Sequence, residues 1–280
     1  MNQIYISNEL SIGLGENMVN IAVLAKVTVD VQAVKVDAET NEPILRGVPL
    51  KISDFDRNAM EEALKIKAKL GGKISVVTAG PPEAKDQMRQ LIAMGADEAH
   101  FVTDVSFTSL DYSAVCRLLV AALAKLGKLD IILAGEASID QYSGQMGPRI
   151  AGAMGIPSVS YARKITPDKD AVLVEREMGD IIEEYNIPYP ALVTVNKEIN
   201  EPRLPNMMQI IGASKKPITE WRPDTLGVPA EKLAPMSRLL GLKGITMKRK
   251  NVIFTDEPPA AAQKLVEALR KEGVLGGGAQ

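Results

Sequence analysis

The sequence predicts an α/β fold, with a mostly parallel sheet, helices on both faces of that sheet and an extended C-terminal arm. Three short apolar runs, at residues 21–25, 74–79 and 130–134, have the pattern of buried strands. Stripes of apolar residues at helical spacing lie between these runs. Strands that alternate with helices of this length form right-handed βαβ units, which build a parallel sheet covered on both sides.

The first half of the chain adds a hairpin and three helices to these strands. Residues 34–45 predict the hairpin, because Asn41-Glu42-Pro43 separates two short apolar runs. The apolar stripes predict helices over residues 59–70, 84–92 and 110–126. We expect Ser109 to cap the start of the third helix and Gly127 to follow its end.

The second half of the chain changes character beyond Pro202. Residues 172–195 still read as strands, whereas the later prolines recur with little periodicity and predict an arm that ends in one helix over residues 260–270. Because such an arm cannot bury its own apolar residues, we expect it to lie on a partner subunit. The predicted organisation is an N-terminal extension at residues 1–19, an α/β domain at 20–200 and an arm at 201–280.

The composition excludes several classes of function. With 33 Lys and Arg residues against 35 Asp and Glu residues, the net charge of -2 provides no basic surface for nucleic acid. One cysteine, Cys116, and one histidine, His100, exclude an intramolecular disulfide, a thiolate zinc cluster and most catalytic triads, and both are interpreted as structural. No apolar run approaches the ~18–20 residues of a membrane span, and the N-terminus lacks a signal-peptide pattern. We therefore expect a cytoplasmic protein.

The long loop after the strand at 130–134 is the clearest candidate for a ligand site. Its glycines allow the backbone to approach a ligand, Pro148 suits the first turn of the next helix, and free N–H groups there can hold a phosphate. The alternative is an ordinary turn, although such turns seldom exceed ~6 residues. The loop comprises Gly135, Glu136, Ala137, Ser138, Ile139, Asp140, Gln141, Tyr142, Ser143, Gly144, Gln145, Met146, Gly147 and Pro148. The turn at Ala79-Gly80-Pro81-Pro82 is a second, weaker candidate.

Six short segments occur in an order that is specific when they are taken together. They are Ala25-Lys26 with Asp30, residues 59–63, residues 93–97, residues 174–177 followed by 187–195, residues 199–203 and residues 215–218. With these segments, the sequence resembles the beta subunit of electron-transfer flavoproteins over residues 20–275, which is nearly the whole chain.

The resemblance implies an adenine-nucleotide-binding, Rossmann-like α/β domain, whose arm embraces a larger alpha subunit that carries FAD. It implies no catalytic residue or metal ligand, because the flavin supplies the reactivity. Ser53-Asp54 departs from the family's usual Asn-Pro, which leaves the contacts of that segment open. Carried over by position, the cofactor contacts are Leu24, Lys26, Ser53, Asp54, Phe55, Asp56, Ala79, Gly80 and the loop at 135–148.

The resemblance also implies a docking site for redox partners. Met207 and Met208 lie in residues 204–210, which occupy the position of the family's recognition loop for acyl-CoA dehydrogenases and related partners. Paired methionines suit an adaptable docking surface. The alternative is that both methionines pack beneath the arm.

Two types of beta subunit within the family remain open. In the electron-bifurcating type the beta subunit binds a second FAD, which oxidises NADH and sends its electrons to two acceptors. In the carrier type it holds structural AMP, and electrons pass from acyl-CoA dehydrogenases to a quinone oxidoreductase. Residues 139–151, with Gly147-Pro148, resemble the bifurcating form, which implies FAD, NADH and acceptors such as ferredoxin or a quinone oxidoreductase. A nucleotide-binding regulatory module that shares the α/β domain is an alternative from another class.

Overall fold

The computed structural model describes residues 18–104, 107–244 and 249–275. In chain order the strands are β1 (Val19–Leu24), β2 (Val27–Val29), β3 (Lys35–Val36), β4 (Pro43–Ile44), β5 (Leu50–Ile52), β6 (Gly72–Ala79), β7 (Glu98–Val102), β8 (Ile131–Gly135), β9 (Ser158–Pro167), β10 (Ala171–Met178), β11 (Ile181–Pro188), β12 (Ala191–Val195) and β13 (Thr219–Trp221). The helices are α1 (Asp54–Leu70), α2 (Arg89–Met94), α3 (Tyr112–Lys125), α4 (Met146–Met154), α5 (Met207–Lys215) and α6 (Pro258–Lys271).

One large sheet has the strand order β11-β10-β9-β12-β8-β1-β6-β7-β13. From β9 to β13 in this order the neighbouring strands are parallel, while β10 and β11 form an antiparallel extension at one edge. The chain leaves β1 toward β6 on one side and later returns as β8 on the other. A strand order that reverses in this way opens a crevice at the carboxyl ends of the two strands, where open α/β sheets bind ligands.

Helices cover both faces of this sheet. Along β1, Ile21 and Val23 belong to the apolar cluster under α1 and α2, whereas Ala22 and Leu24 belong to the cluster under α3 and α4. The two faces alternate because successive side chains of a strand point to opposite sides of the sheet. The predicted fold class, a mostly parallel sheet with helices on both faces, is confirmed.

The start of α3 differs from the expected one. Ser109 ends a 3-10 turn, and Asp111 is the N-cap, because its Oδ1 accepts the N–H groups of Ser113 and Ala114 at 3.0 and 2.9 Å. Serine and aspartate are both favoured caps, so the sequence pattern does not choose between them. The glycine expected after this helix is confirmed, since Gly127 has a φ of 86°.

The predicted hairpin and the predicted second helix differ in how well they agree with the structure. The predicted hairpin is confirmed, because β3 and β4 pair in antiparallel. The helix expected over residues 84–92 is wrong in its first part, where a 3-10 turn (Pro82–Met88) precedes the short α2. The sequence pattern does not predict β9, because the strand does not alternate regularly: Tyr161 has a positive φ of 64°, and the register against β12 shifts.

The arm contains more regular structure than predicted. α5 begins in a capping box, in which Asn206 and Gln209 each accept the other's backbone N–H. β13 then adds a parallel strand beside β7, and its Trp221 stacks on His100 with ring centroids 4.5 Å apart. Residues 201–259 are therefore more regular than the extended segment expected there, and the helix expected over 260–270 at the end of the arm is confirmed as α6.

The described residues begin at Met18 and end at Leu275. Most of the predicted N-terminal extension falls at residues 1–17, which lie outside the described residues. No residue of α6 is buried within the described part of the chain. Across the ranges 18–104, 107–244 and 249–275, none of the helices combines the length and the apolar character needed to cross a bilayer.

Candidate functional site

A cleft of about 1040 Å³ opens at the carboxyl ends of β1, β6 and β8. Its floor is apolar and includes Leu24, Val77 and Leu119, and its rim includes the loop that follows β8. The cleft lies where the strand order reverses, between β1 and β8. Its volume reaches the upper end of the range of ~300–1000 Å³ that is typical of small-molecule sites.

Asp56 joins the ends of the two strands that flank the crevice. Its Oδ2 accepts the N–H of Lys26 at 2.7 Å, and its Oδ1 accepts the N–H of Gly135 at 3.0 Å. The carboxyl group is buried, and burial raises its pKa to about 7 although the two N–H bonds oppose that shift. The strand ends are therefore held by a group whose charge changes near neutral pH.

Two glycines of the predicted loop are required where helices pack on the sheet. A Cβ atom at Gly135 would lie 2.5 Å from the Cβ of Phe55 in α1. A Cβ atom at Gly147 would lie 2.4 Å from the Cγ2 of Thr194 in β12. Both glycines line the cleft, but the close approach that each one permits is between helix and strand. A bound ligand is therefore not needed to explain either glycine.

Polar contacts hold the loop between β8 and α4 in place. Lys26 Nζ pairs with Asp140 at 2.7 Å and donates to Ser138 Oγ at 3.3 Å. The Tyr142 hydroxyl donates to Glu136 Oε1 at 2.6 Å, and this hydrogen bond is the main cause that raises the pKa of Tyr142 to about 12. A phosphate in the cleft would have to compete with Asp140 for the Lys26 ammonium group.

The first turn of α4 faces the cleft without a side-chain cap. Gln145 at the N-cap makes no bond to the helix backbone through its side chain, and its Oε1 accepts from Arg149 Nε at 3.0 Å. Met146 and Gly147 in the first turn line the cleft. The open N–H groups and the positive end of the helix dipole favour an anion such as a phosphate. The start of α3, at the same cleft, is capped by Asp111 and lacks this property.

Most of the predicted cofactor contacts line the cleft, and they come from separate segments of the chain. They are Leu24, Lys26, Asp56, Ala79, Gly135, Glu136, Ala137, Ser138, Gln141, Ser143, Gly144, Gln145, Met146 and Gly147. The others do not line it: Ser53, Asp54, Phe55, Gly80, Ile139, Asp140, Tyr142 and Pro148. An apolar floor for a base beside an uncapped helix for a phosphate fits an adenine nucleotide.

The segment that departs from the family pattern shows why some predicted contacts lie outside the cleft. Ser53 is fully buried beneath the start of α1. Phe55 instead contacts Tyr142 edge to face, with ring centroids 5.7 Å apart. Of the four predicted residues in this segment, Asp56 alone lines the cleft.

Comparison with known proteins places this chain in a family. The family model described as "Electron transfer flavoprotein domain" matches residues 44–226. The chain belongs to the electron transfer flavoprotein family. Relatives named electron transfer flavoprotein subunit beta include that of Thermoanaerobacterium thermosaccharolyticum, 38% identical over 267 residues that cover 91% of this chain and 100% of the relative. That of Bacillus subtilis is 32% identical over 254 residues, which cover 90% and 98%.

A third relative carries a more specific name. The caffeyl-CoA reductase-Etf complex subunit CarD of Acetobacterium woodii is 37% identical over 212 residues, which cover 75% of this chain and 81% of the relative. Together these similarities identify an electron transfer flavoprotein beta subunit, whose role is electron transfer. A beta subunit implies an alpha subunit as its partner.

This beta subunit also brings to the cleft two segments that the sequence patterns did not predict. One is residues 107–112, which lead into the first residue of α3, and the other is residues 235–239 of the arm. Asp111 joins them, because its Oδ2 accepts the N–H groups of Met236 and Ser237 at 2.7 and 3.1 Å. N–H bonds, that of Ala114 above all, hold the pKa of Asp111 below its usual range. No motif marks residues 235–239, since their contact with the cleft depends on how the arm folds back.

The two methionines predicted to dock a partner face solvent at the start of α5. Met207 is 70% exposed and Met208 is 77% exposed. Leu204 and Ile210 beside them are exposed as well. Within the described part of this beta subunit, the alternative that the methionines pack beneath the arm is therefore wrong.

Proposed function

We propose that the cleft of this beta subunit binds FAD, and that the heterodimer with its alpha subunit oxidises NADH and passes the two electrons to acceptors of different potential. FAD supplies the hydride and single-electron chemistry when it is bound. The residues of this chain bind the cofactor, orient it and set the charge around it. The regulatory-module alternative is set aside, because the chain belongs to the electron transfer flavoprotein family.

The observation that carries the proposal is the extent of the cleft. Its lining runs from the apolar floor near Leu119, past the loop at 135–147, to residues 235–239 of the arm, and its volume is about 1040 Å³. AMP has one base, one ribose and one phosphate, and would leave much of this space to solvent. FAD adds a second phosphate and a flavin to the same adenylate, which accounts for the additional space.

The residues that would hold the cofactor divide by their chemistry. Leu24 and Leu119 offer apolar surface to a base, and the N–H groups of Met146 and Gly147 offer donors to a phosphate. Asp56 lies at the same cleft, and because its pKa is about 7 it adds no repulsion at lower pH. The loop at 135–147 is held by its own polar contacts, so the site is largely formed before a ligand arrives.

AMP in the carrier type is the second candidate, and one observation favours it. Of the two helix starts at the cleft, that of α3 is capped by Asp111 and that of α4 is open. A single open helix start suits a single phosphate. Under this alternative the beta subunit would not react with NADH, and electrons would pass between acyl-CoA dehydrogenases and a quinone oxidoreductase.

The proposal assigns the rest of the chain to partners. The arm, residues 201–280, would pack on the alpha subunit through α6, whose Leu265 and Val266 are exposed. Met207 and Met208 would contact a redox partner such as an acyl-CoA dehydrogenase, a quinone oxidoreductase or a ferredoxin. The name of the Acetobacterium woodii relative, which describes a complex with caffeyl-CoA reductase, supports a role in which electrons reach a separate enzyme.

Anaerobic titration of the heterodimer with NADH tests the proposed reaction. We expect NADH to remove the visible absorbance of the flavin, because a second flavin in the beta cleft would accept its hydride. A sample reduced with dithionite provides the end point for full reduction. If NADH leaves the absorbance unchanged while dithionite removes it, the carrier alternative is correct.

A further inference from the structure

The charges of the α/β domain that face the cleft do not by themselves favour a phosphate. Lys26 is paired with Asp140, while Asp111 and Glu136 add two carboxylates to the lining. A nucleotide phosphate brings further negative charge, which such a lining repels. Within the described part of the α/β domain, the favourable feature for an anion is the open start of α4.

The arm places a cation at this cleft. Arg238 lines the cleft and forms neither a hydrogen bond nor an ion pair within the described part of the chain. Its guanidinium group is planar and presents several N–H donors, which match the oxygens of a phosphate in bidentate geometry. Among the charged residues that line the cleft, Lys26 has a carboxylate partner, whereas Arg238 has all of its donors available.

Specific contacts hold the arm at the cleft just before Arg238. Asp111 Oδ2 accepts from Met236 N–H at 2.7 Å, from Ser237 N–H at 3.1 Å and from Ser237 Oγ at 3.3 Å. Arg117 of α3 donates to the carbonyl oxygen of Lys232 at 2.8 Å. The same Asp111 caps α3 through its Oδ1. The position of the arm is therefore tied to the helix start that borders the cleft.

We propose that residues 235–239 form one wall of the nucleotide site and that Arg238 is a ligand-binding residue, which donates hydrogen bonds to the phosphate oxygens of the bound nucleotide. Asp111 is then a positioning residue that acts through the arm. This inference rests on the proposed function in that a phosphate-bearing nucleotide occupies the cleft, but it holds for FAD and for AMP alike. It gives the arm a role in ligand binding in addition to its contact with the alpha subunit.

The nucleotide affinity of the heterodimer tests this role. It is measured by calorimetry with FAD and with AMP, after the nucleotide has been removed from the beta cleft. Arg238→Gln is expected to weaken binding about 10- to 100-fold, as for the loss of hydrogen bonds to a charged group, and to reduce its salt dependence. Arg238→Lys should recover part of the affinity. Arg249→Gln, which removes a charge from a part of the arm that does not line the cleft, is the matched control and should bind as the unsubstituted protein does.

Asp111→Asn tests the positioning role without removing the helix cap. An asparagine keeps one oxygen for α3 and turns an NH2 group toward Met236 and Ser237, which releases the arm. Asp111→Asn should weaken nucleotide binding in the unsubstituted protein but not in Arg238→Gln, because both changes act through the same contact with the phosphate. An unchanged dissociation constant in Arg238→Gln would overturn the proposal.

The outcomes also separate this inference from the proposed function. If the heterodimer binds AMP but not FAD, the FAD proposal fails, while a weaker affinity of Arg238→Gln for AMP still supports the role of the arm. If it binds FAD and Arg238→Gln binds equally well, the arm proposal alone fails. If no nucleotide binds in the cleft, both fail.

Discussion

Gly147→Val is expected to destabilise the beta subunit by about 3 kcal/mol or more and to empty its cleft. The first added carbon would lie 2.4 Å from Thr194 Cγ2 and 3.3 Å from Leu192 Cδ2. α4 would have to move away from β12, and its first-turn N–H groups would move with it. Thermal denaturation of the heterodimer and its nucleotide content measure the two effects.

Matched variants test whether this collision is the cause. Gly147→Ala should lower the free energy of unfolding by about 1–3 kcal/mol. Adding Thr194→Ser should restore most of that stability, because serine lacks the Cγ2 atom. Serine also keeps the hydroxyl that accepts the Tyr161 N–H at 3.3 Å. Gly152→Ala lies in the same helix with no atom within 4 Å of the new carbon, and should be neutral or stabilising by up to ~1 kcal/mol. Additive losses in the double variant would contradict the packing explanation.

Asp56→Asn is expected to remove a pH dependence of stability that this carboxyl imposes. Burial raises its pKa from the ordinary range of an aspartate to about 7, so the folded protein binds the proton more tightly than the unfolded chain does. The contribution of Asp56 is therefore most favourable below pH ~4 and falls as the pH rises to 7. Between pH 5 and 8 the loss amounts to ~3 kcal/mol.

The thermal midpoint of the heterodimer at pH 5 and at pH 8 measures this loss. The unsubstituted protein should lose more stability between the two values than Asp56→Asn does. Asparagine leaves one of the two N–H groups without an acceptor, so the variant should be less stable at pH 5. Asp54→Asn in the same helix, which changes a half-buried carboxylate that does not line the cleft, is the control and should keep the full pH dependence. Equal slopes for Asp56→Asn and the unsubstituted protein would show that this carboxyl does not titrate in the range.

The part of the site that the sequence predicts is the part built from strand ends. Leu24, Ala79 and Gly135 end buried strands, and the ends of parallel strands meet at one edge of a sheet, so their convergence follows from the fold class. The loop at 135–147 could be found because its length and glycine content exceed those of an ordinary turn.

Other features depend on tertiary contacts that no local pattern shows. Asp111 rather than Ser109 caps α3, and the choice is linked to the arm that the same carboxylate holds. The contact between Asp111 and Met236 joins positions 125 residues apart. The capping box at Asn206 and Gln209 is a signal that could have predicted α5. Position 147 requires glycine because β12 packs against the start of α4, and the local sequence does not show that contact.

Counting the nucleotides of the purified heterodimer tests the central claim most directly. The cofactors are released by denaturation, separated and quantified per heterodimer. The proposal predicts two FAD, one from the alpha subunit and one from the beta cleft, and a loss of one FAD in Gly147→Val. One FAD together with one AMP would contradict it and would identify this chain as the beta subunit of the carrier type.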